Sequence, residues 1–125
     1  MILLTVEEVI ELHRKLIDRT GGSHGVREDS LLESAVYSAM SSFGDNEIYP
    51  SVEEKAARLM FSLTNNHAFV DGNKRIGVLV MLMTLQLNDV KIKYTQAELI
   101  SLSLSVADGK TDYDKILSWI KEHKI

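Results

Sequence analysis

Cysteine is absent from the 125-residue chain, which excludes both a disulfide framework and a thiolate zinc site. Proline occurs once, and aromatic residues make up only 6% of the sequence. Basic residues are not in excess either, because the formal net charge is -4. A broad nucleic-acid interface needs a basic face, so we expect no direct nucleic-acid partner, although a small local anion site remains compatible with this charge.

The sequence also lacks a long apolar run. The first eight residues have no basic region and too short an apolar stretch for a signal peptide. The most apolar segment, residues 76–87, is interrupted by Gly77, Thr84 and Gln86, and a membrane span needs about 20 apolar residues. We therefore expect a soluble, cytoplasmic protein without a membrane partner. Its length suits one domain, residues 1–125, with one real core.

Helix-start signals recur along the chain. A hydroxyl residue with glutamate three positions later forms a capping box, and the sequence has this pattern at Thr5, Ser30, Ser51 and Thr95. No stretch shows the alternation of a half-buried strand. The patterns predict an all-α domain of about six helices. The predicted helices cover approximately residues 6–19, 31–41, 52–66, 74–87 and 96–107, with a last one starting at Thr111 or Asp112.

The predicted fourth helix is the most apolar of the six. Its run from Val78 to Met83 is apolar on all sides, which is typical of a helix surrounded by other helices. We expect this helix to be the buried centre of the domain. Polar and charged residues are crowded immediately before it, in the segment 65–77. Loops placed by a rigid scaffold commonly carry function, so this segment is the candidate site.

Four consecutive residues of this segment predict an anion site. Gly72 allows the backbone to come close to a ligand. Asn73, Lys74 and Arg75 then fall at the start of a helix, where free N–H groups and the helix dipole favour phosphate. Arg75 can make a forked contact to phosphate oxygens, and Lys74 adds a compact positive charge.

Two further residues add a metal ligand and a general base to the phosphate site. Asp71 is a hard oxygen donor suited to Mg²⁺, which usually binds one or two carboxylates together with substrate phosphates. His67 can act as a general base near neutral pH. Together they indicate metal-assisted phosphoryl-group transfer, which depends on positioning and charge stabilisation. The residues alone do not decide which phosphate is attacked.

The nine residues from His67 to Arg75, His-Ala-Phe-Val-Asp-Gly-Asn-Lys-Arg, resemble the signature of the Fic/Doc family and look closest to its death-on-curing branch. The general Fic signature reads His-x-Phe-x-Asp/Glu-Gly-Asn-Gly-Arg, and Doc toxins have lysine at the position of Lys74. The similarity covers essentially the whole chain. Further segments that look like this branch are residues 12–13, 21–22, 26–27, 31–35, 49–50 and 54–57.

This resemblance implies an all-α fold with the motif between two central helices. It implies that His67 is the base that activates a target hydroxyl and that Asp71 holds Mg²⁺. The residues from Gly72 to Arg75 would line the phosphate site of ATP, and Phe69 would anchor the loop in the core. Residues 43–50 occupy the place of the family's flap, which helps to dock the target segment.

The resemblance also implies an activity. Fic enzymes with Gly-Asn-Gly generally transfer AMP, whereas Doc toxins transfer the γ-phosphate of ATP to a threonine of elongation factor Tu and halt translation. Lys74 therefore favours a Doc-like kinase toxin. The alternatives are AMP transfer, modification of some other protein hydroxyl without toxicity, and a non-catalytic anion-binding module.

Doc toxins are paired with an antitoxin, and we expect one here. The segment from Ser118 to Glu122 matches the first part of the self-inhibitory Fic motif, but His123 replaces its final Gly/Asn. Inhibition by a separate protein is therefore the better hypothesis. The histidines outside the motif have no pattern around them, so we interpret His24 and His123 as loop and tail residues, and His13 as a helix residue near the core or flap.

Overall fold

A computed structural model describes residues 1–125. It contains six α-helices and one small hairpin, so the all-α prediction is confirmed. The elements in chain order are α1 (Val6–Thr20), α2 (Asp29–Tyr37), a 3₁₀ turn (Ser38–Met40), β1 (Ser42–Phe43), β2 (Asn46–Glu47), α3 (Val52–Asn65), α4 (Asn73–Leu87), α5 (Gln96–Ala107) and α6 (Tyr113–His123). Apart from α2, each predicted helix agrees with these bounds to within one residue, and the last helix is compared at its start only.

Three of the four predicted capping boxes are present. At Thr5, Ser51 and Thr95 the hydroxyl accepts from the backbone N–H three residues on, and that residue's carboxylate accepts from the cap's own N–H. Such caps satisfy helix donors that would otherwise be unpaired, and removing one costs about 0.5–2 kcal/mol. The last helix is capped by Asp112 rather than by Thr111.

The predicted cap at Ser30 is wrong. α2 begins at Asp29, its N-cap residue Glu28 makes no side-chain cap, and the Ser30 hydroxyl bonds to the Glu28 carboxylate instead. The start of α2 is set by a long-range contact, because the N–H groups of Arg27 and Glu28 both donate to the carbonyl of Ala68. A local sequence pattern carries no signal of that contact.

A small hairpin with strands of two residues each lies in the connection between α2 and α3, which was expected to be a loop. β1 and β2 pair antiparallel, with Phe43 opposite Asn46. Strands of two residues are too short for alternation to show in a sequence. Lys55 of α3 ties the hairpin to the helical body: its side chain is buried, and its Nζ donates to Glu47 Oε1 at 2.8 Å and to the Ala39 carbonyl at 3.0 Å.

α3 and α4 are the two central helices, and both apolar clusters include residues of each. One fills the space between α1, α2, α3 and the start of α4, and the other joins α3 and α4 to α5 and α6. Val80 and Met81 are fully buried, but Val78, Leu79 and Leu82 are only half-buried. The sequence had predicted that the apolar run of α4 is enclosed on every side. This prediction is wrong, because one side of the run is only half-buried. No helix is both long and apolar enough to cross a bilayer.

Candidate active site

One cleft of about 400 Å³ collects all six residues that the sequence predicts for the site. It lies where the end of α3, the motif loop, the start of α4 and the end of α5 meet. Its lining comprises Thr64, Asn65, His67, Val70, Asp71, Gly72, Asn73, Lys74, Arg75, Ala107 and Asp108. The chain thus brings a histidine, a carboxylate, two cations and a helix start to one surface.

The N-terminus of α4 is left open as an anion cradle. Gly72 is its N-cap residue, with a left-handed backbone (φ 77°, ψ 20°), and no side chain caps the helix. The first backbone bond of the helix runs from Ile76 N–H to the Gly72 carbonyl at 2.9 Å. The N–H groups of residues 73–75 precede this bond, so they remain available to an anion.

Gly72 is required at this position for two reasons. Its positive φ is unfavourable for residues with a Cβ, and a Cβ built there would lie 3.0 Å from Ile17 Cδ1 on α1. The left-handed turn is what directs the chain from the loop into α4. The close packing on α1 therefore fixes where the helix start faces the cleft.

Asn73 holds the loop closed with its side chain. Its Oδ1 accepts from the Phe69 N–H and its Nδ2 donates to the Phe69 carbonyl, both at 3.1 Å. The side chain is therefore directed at the loop, and the backbone N–H is the donor that faces a phosphate at the helix start. Lys74 is exposed and is the cation that the loop leaves without a protein partner.

Arg75 is anchored on one side. Its Nη1 donates to the Thr20 hydroxyl and to the Gly21 carbonyl at the end of α1. Its Nη2 lies 3.6 Å from Asp71 Oδ1, and the side chain is 36% exposed. A full forked contact to phosphate would require Nη1 to leave α1, so in this arrangement the Nη2 side is the part that can meet a ligand.

Asp71 presents an ionised carboxylate. The N–H of Ser23 donates to Oδ2 at 3.1 Å and the N–H of Gly72 donates to Oδ1 at 2.8 Å. These two bonds, with a smaller contribution from the charge of Arg75, lower the pKa of Asp71 below its ordinary value of 3.8. The side chain is 45% exposed, so its remaining lone pairs are accessible.

The donor set fits Mg²⁺ that arrives with a nucleotide. No group of three or more His, Cys, Asp or Glu side chains is placed to hold a metal ion, so a cage made of protein alone is not formed. Mg²⁺ characteristically keeps water ligands and uses one or two carboxylates together with substrate phosphates. An ionised, half-exposed Asp71 next to an open helix N-terminus meets that requirement.

His67 stands free at the edge of the cleft. Its backbone is left-handed (φ 52°), which is uncommon for a residue other than glycine. Arg27 stabilises this conformation, since its Nε donates to the His67 carbonyl at 2.7 Å. The imidazole ring is exposed and makes no hydrogen bond within the protein. Strained backbone held by neighbouring groups is common at functional sites.

The segment between α1 and α2 is the scaffold of the loop. The Arg27 N–H donates to the Ala68 carbonyl at 2.7 Å, and the Val70 N–H donates to the Gly25 carbonyl at 3.0 Å. Gly22 touches the carboxylate of Asp71 so closely that a Cβ there would overlap Oδ2. The glycine pair and the Val-Arg pair that carried the family resemblance therefore lie directly against the motif.

Phe69 anchors the loop from below, as predicted. Its ring is 1% exposed and stacks on the ring of His13, with centroids 3.8 Å apart and planes 10° apart. The sequence placed His13 near the core or flap, and it is buried, but its contacts with the motif loop were not predicted. A signal was present, because Val9, His13 and Ile17 follow one another at helical spacing, and all three are buried. Burial lowers the pKa of His13 below its ordinary value.

The other sequence candidates lie elsewhere. Ser118 and Glu122, the incomplete self-inhibitory motif, line a groove of about 660 Å³ between α5 and α6. Neither residue lines the motif cleft. His24 pairs with Asp18 at 2.9 Å on the exposed side of α1.

The comparison with known proteins agrees with this geometry. Residues 3–85, from the chain's start through most of α4, match the Fic/DOC family. The chain belongs to this family. "Toxin Doc" of Mycolicibacterium smegmatis is 39% identical over 72 residues, which is 58% of this chain and 55%, about half, of that protein. "Protein kinase doc" of Escherichia phage P1 is 26% identical over 118 residues, 94% of this chain and 92% of that protein. Both relatives support the Doc branch.

Proposed function

We propose that this protein is a Doc-like toxin of a toxin–antitoxin pair. It transfers the γ-phosphate of ATP to a hydroxyl of a protein target, with elongation factor Tu as the first candidate, and so inhibits translation in the cytoplasm. The observation that carries the proposal is the single cleft in which His67, Asp71, Lys74 and the open N-terminus of α4 meet. Each of the three parts of phosphoryl transfer, namely base, metal ligand and phosphate cradle, is represented there.

The phosphates of ATP bind at the start of α4. The N–H groups of residues 73–75 and the ammonium of Lys74 point positive charge into the cleft, and the free side of Arg75 adds to it. Asp71 would hold Mg²⁺, which when bound supplies charge neutralisation on the phosphate oxygens. The helix start and the Asp71 carboxylate are held in place by hydrogen bonds before ATP arrives, so these two groups need little reorganisation during the reaction.

His67 serves as the base. A ring nitrogen takes the proton of the target hydroxyl while its oxygen forms a bond to the γ-phosphorus. The bond between the γ-phosphorus and the β–γ bridging oxygen breaks, and ADP leaves with that oxygen. The ring suits this role because it is exposed and unpaired in the protein, so both nitrogens are free for a substrate.

Lys74 favours γ-phosphate transfer over AMP transfer. A lysine side chain stands at the position where the general Fic signature has glycine, and its stem narrows the cradle while its ammonium adds charge. A narrower cradle and an added positive charge both affect which phosphate of ATP lies at the helix start. The phage relative carries the name "Protein kinase doc", which is in keeping with a phosphoryl donor.

Two partners follow from this proposal. The target segment docks along the hairpin β1–β2, where Phe43 is 84% exposed and Ile48 is 50% exposed. Inhibition comes from a separate antitoxin, since the incomplete self-inhibitory motif at Ser118 lines a different groove. Clusters of large exposed apolar side chains are typical of protein-binding surfaces.

Labelled ATP tests the transferred group. The protein is incubated with elongation factor Tu and Mg²⁺, in parallel with ATP labelled at the γ- or at the α-phosphate. We expect label on the factor from γ-labelled ATP only. Label from the α-phosphate alone would replace the kinase with AMP transfer.

Expression in a bacterial host tests the toxin. We expect growth arrest with the wild type and none with His67→Asn, because asparagine tolerates the left-handed backbone but is no base. Normal growth with an unmodified factor would leave modification of another hydroxyl. Undetectable binding of ATP and Mg²⁺ by calorimetry would leave a non-catalytic anion-binding module.

A further inference from the structure

We propose that His13 is a positioning residue that sets the direction of the Asp71 carboxylate. The proposal rests on the proposed function, because it concerns how that site holds a nucleotide with its metal ion. His13 lies on α1, is 2% exposed, and does not line the cleft. It acts from beneath the loop and touches no substrate.

Two contacts join His13 to the loop. Its ring stacks on Phe69, and its Nε2 lies 2.7 Å from the backbone carbonyl of Asp71. A carbonyl oxygen only accepts, so Nε2 carries the proton and donates. One side chain of α1 therefore fixes the loop at two residues, 69 and 71, while the intervening Val70 is exposed.

The contact with Asp71 also controls its carboxylate. The carbonyl of Asp71 and the N–H of Gly72 belong to one planar peptide unit, so fixing the carbonyl fixes that N–H. The same N–H donates to Asp71 Oδ1 at 2.8 Å. If the donor on His13 were lost, this peptide unit could rotate and the carboxylate would lose one of its two backbone donors.

The second donor comes from the scaffold segment. Ser23 N–H bonds Oδ2, and its position does not depend on His13 through any direct hydrogen bond. Loss of the His13 donor would therefore loosen Asp71 without releasing it. We expect weaker metal-dependent nucleotide binding rather than none, and outer groups that orient metal ligands typically contribute about 10- to 100-fold to affinity.

Two substitutions separate positioning from packing. His13→Phe keeps a ring that can stack on Phe69 but removes the donor. His13→Gln keeps an N–H donor but removes the ring. A residue that only fills the core would tolerate phenylalanine better than glutamine. A residue that positions Asp71 through its donor shows the opposite order.

The test is calorimetry of the full-length protein with ATP, with and without Mg²⁺. For His13→Phe we expect a loss of about tenfold or more in the affinity gained from Mg²⁺, with ATP alone bound as by the wild type. His13→Gln should stay within a few-fold of the wild type. Wild-type behaviour of His13→Phe, or equal losses in both variants, would overturn the proposal. Melting curves verify that both variants are folded.

Nuclear magnetic resonance of the unmodified protein provides a second test that needs no variant. The ring nitrogens of His13 should report a proton on Nε2, protected from exchange by the Asp71 carbonyl. An Nε2 without a proton would overturn the proposal even if the variants did not fold. This measurement needs no nucleotide, so its result does not depend on the proposed function. Failure of the proposed function would show itself separately, as a wild type that binds no ATP with Mg²⁺.

Discussion

Two of the clefts in the molecule use their histidines in opposite ways. In the groove between α5 and α6, both ring nitrogens of His123 are engaged, with the Trp119 carbonyl and with Glu98 Oε2, each at 2.7 Å. In the motif cleft, the ring of His67 has no protein partner. The groove is also the larger of the two, at about 660 against 400 Å³.

The difference shows how to recognise a site. In the groove, Ser105 and Thr111 bond to each other at 2.8 Å, and the bond from His123 to Glu98 joins α6 to α5. In the motif loop the backbone is satisfied, by Gly25, Arg27 and His13, while the side chains of His67 and Lys74 stay free. Unused hydrogen-bonding capacity on a rigid loop marks the candidate site better than cavity size does.

The largest expected effect is on the free histidine. His67→Asn should lower transfer of label by about a hundred- to ten-thousandfold, the usual contribution of a general base. His123→Asn is the matched control from the other cleft and should leave the rate unchanged. The measurement is the rate of label transfer, with melting temperature as the check on folding. If both variants lost activity equally, the contrast between the clefts would fail.

The next effect concerns the anchor of the loop. Phe69→Ala removes a fully buried ring and should cost about 3–5 kcal/mol in the free energy of unfolding. Phe69→Leu should cost clearly less, because it leaves a smaller cavity. Urea denaturation gives both values. A small loss for Phe69→Ala would mean that the backbone bonds to the segment 21–28 hold the loop without the ring.

Lys74 should contribute to nucleotide binding. Lys74→Met removes the exposed ammonium but keeps the stem, and we expect about a tenfold loss in affinity for ATP with Mg²⁺, as for one hydrogen bond to a charged group. Lys115→Met in the groove is the control and should bind normally. Calorimetry measures both. Equal affinity in both variants would place the phosphates away from Lys74.

The smallest effect is a pH dependence of stability in the groove. The hydrogen bond to Glu98 raises the pKa of His123 above 6.5. The same bond, together with the two bonds that Thr95 makes to Glu98, lowers the pKa of Glu98 from 4.5 to about 2. His123 therefore stabilises fully below pH 6.5, and this contribution is lost as pH rises through its folded pKa. Glu98 stabilises fully above pH 4.5 and loses its contribution as pH falls towards 2.

Both contributions are complete between pH 4.5 and 6.5. The groups facing His123 are Glu98 on α5 and Glu122 on α6, and Glu98→Gln removes the closer of these charges. We expect the urea midpoint of the wild type to fall slightly as the pH rises above this window. In Glu98→Gln this fall should be smaller, and an unchanged profile would contradict the assignment.

Local patterns predicted most of the fold, because caps and helical periodicity are local properties. Thr5, Ser51 and Thr95 begin helices through bonds to residues three positions away. The start of α2 could not be predicted, since it depends on the carbonyl of Ala68, some forty residues along the chain. The hairpin was missed because its strands have only two residues each.

The composition of the candidate site was predictable, but the use of each side chain was not. The order of residues from His67 to Arg75 indicated their common cleft. That Asn73 bonds back to Phe69, that Arg75 is tied to the end of α1, and that His13 supports Asp71 are long-range or geometric facts. A sequence motif identifies the residues of a site, but it does not show which of their atoms already form hydrogen bonds within the fold.

The most direct measurement maps ATP with Mg²⁺ onto the isotope-labelled protein by nuclear magnetic resonance. If the phosphates bind at the start of α4, the largest changes fall on the backbone amides of residues 72–75 and on the ring of His67. The groove between α5 and α6, with His123 and Trp119, should be undisturbed. Changes confined to that groove, with unchanged amide signals at the start of α4, would contradict nucleotide binding in the motif cleft.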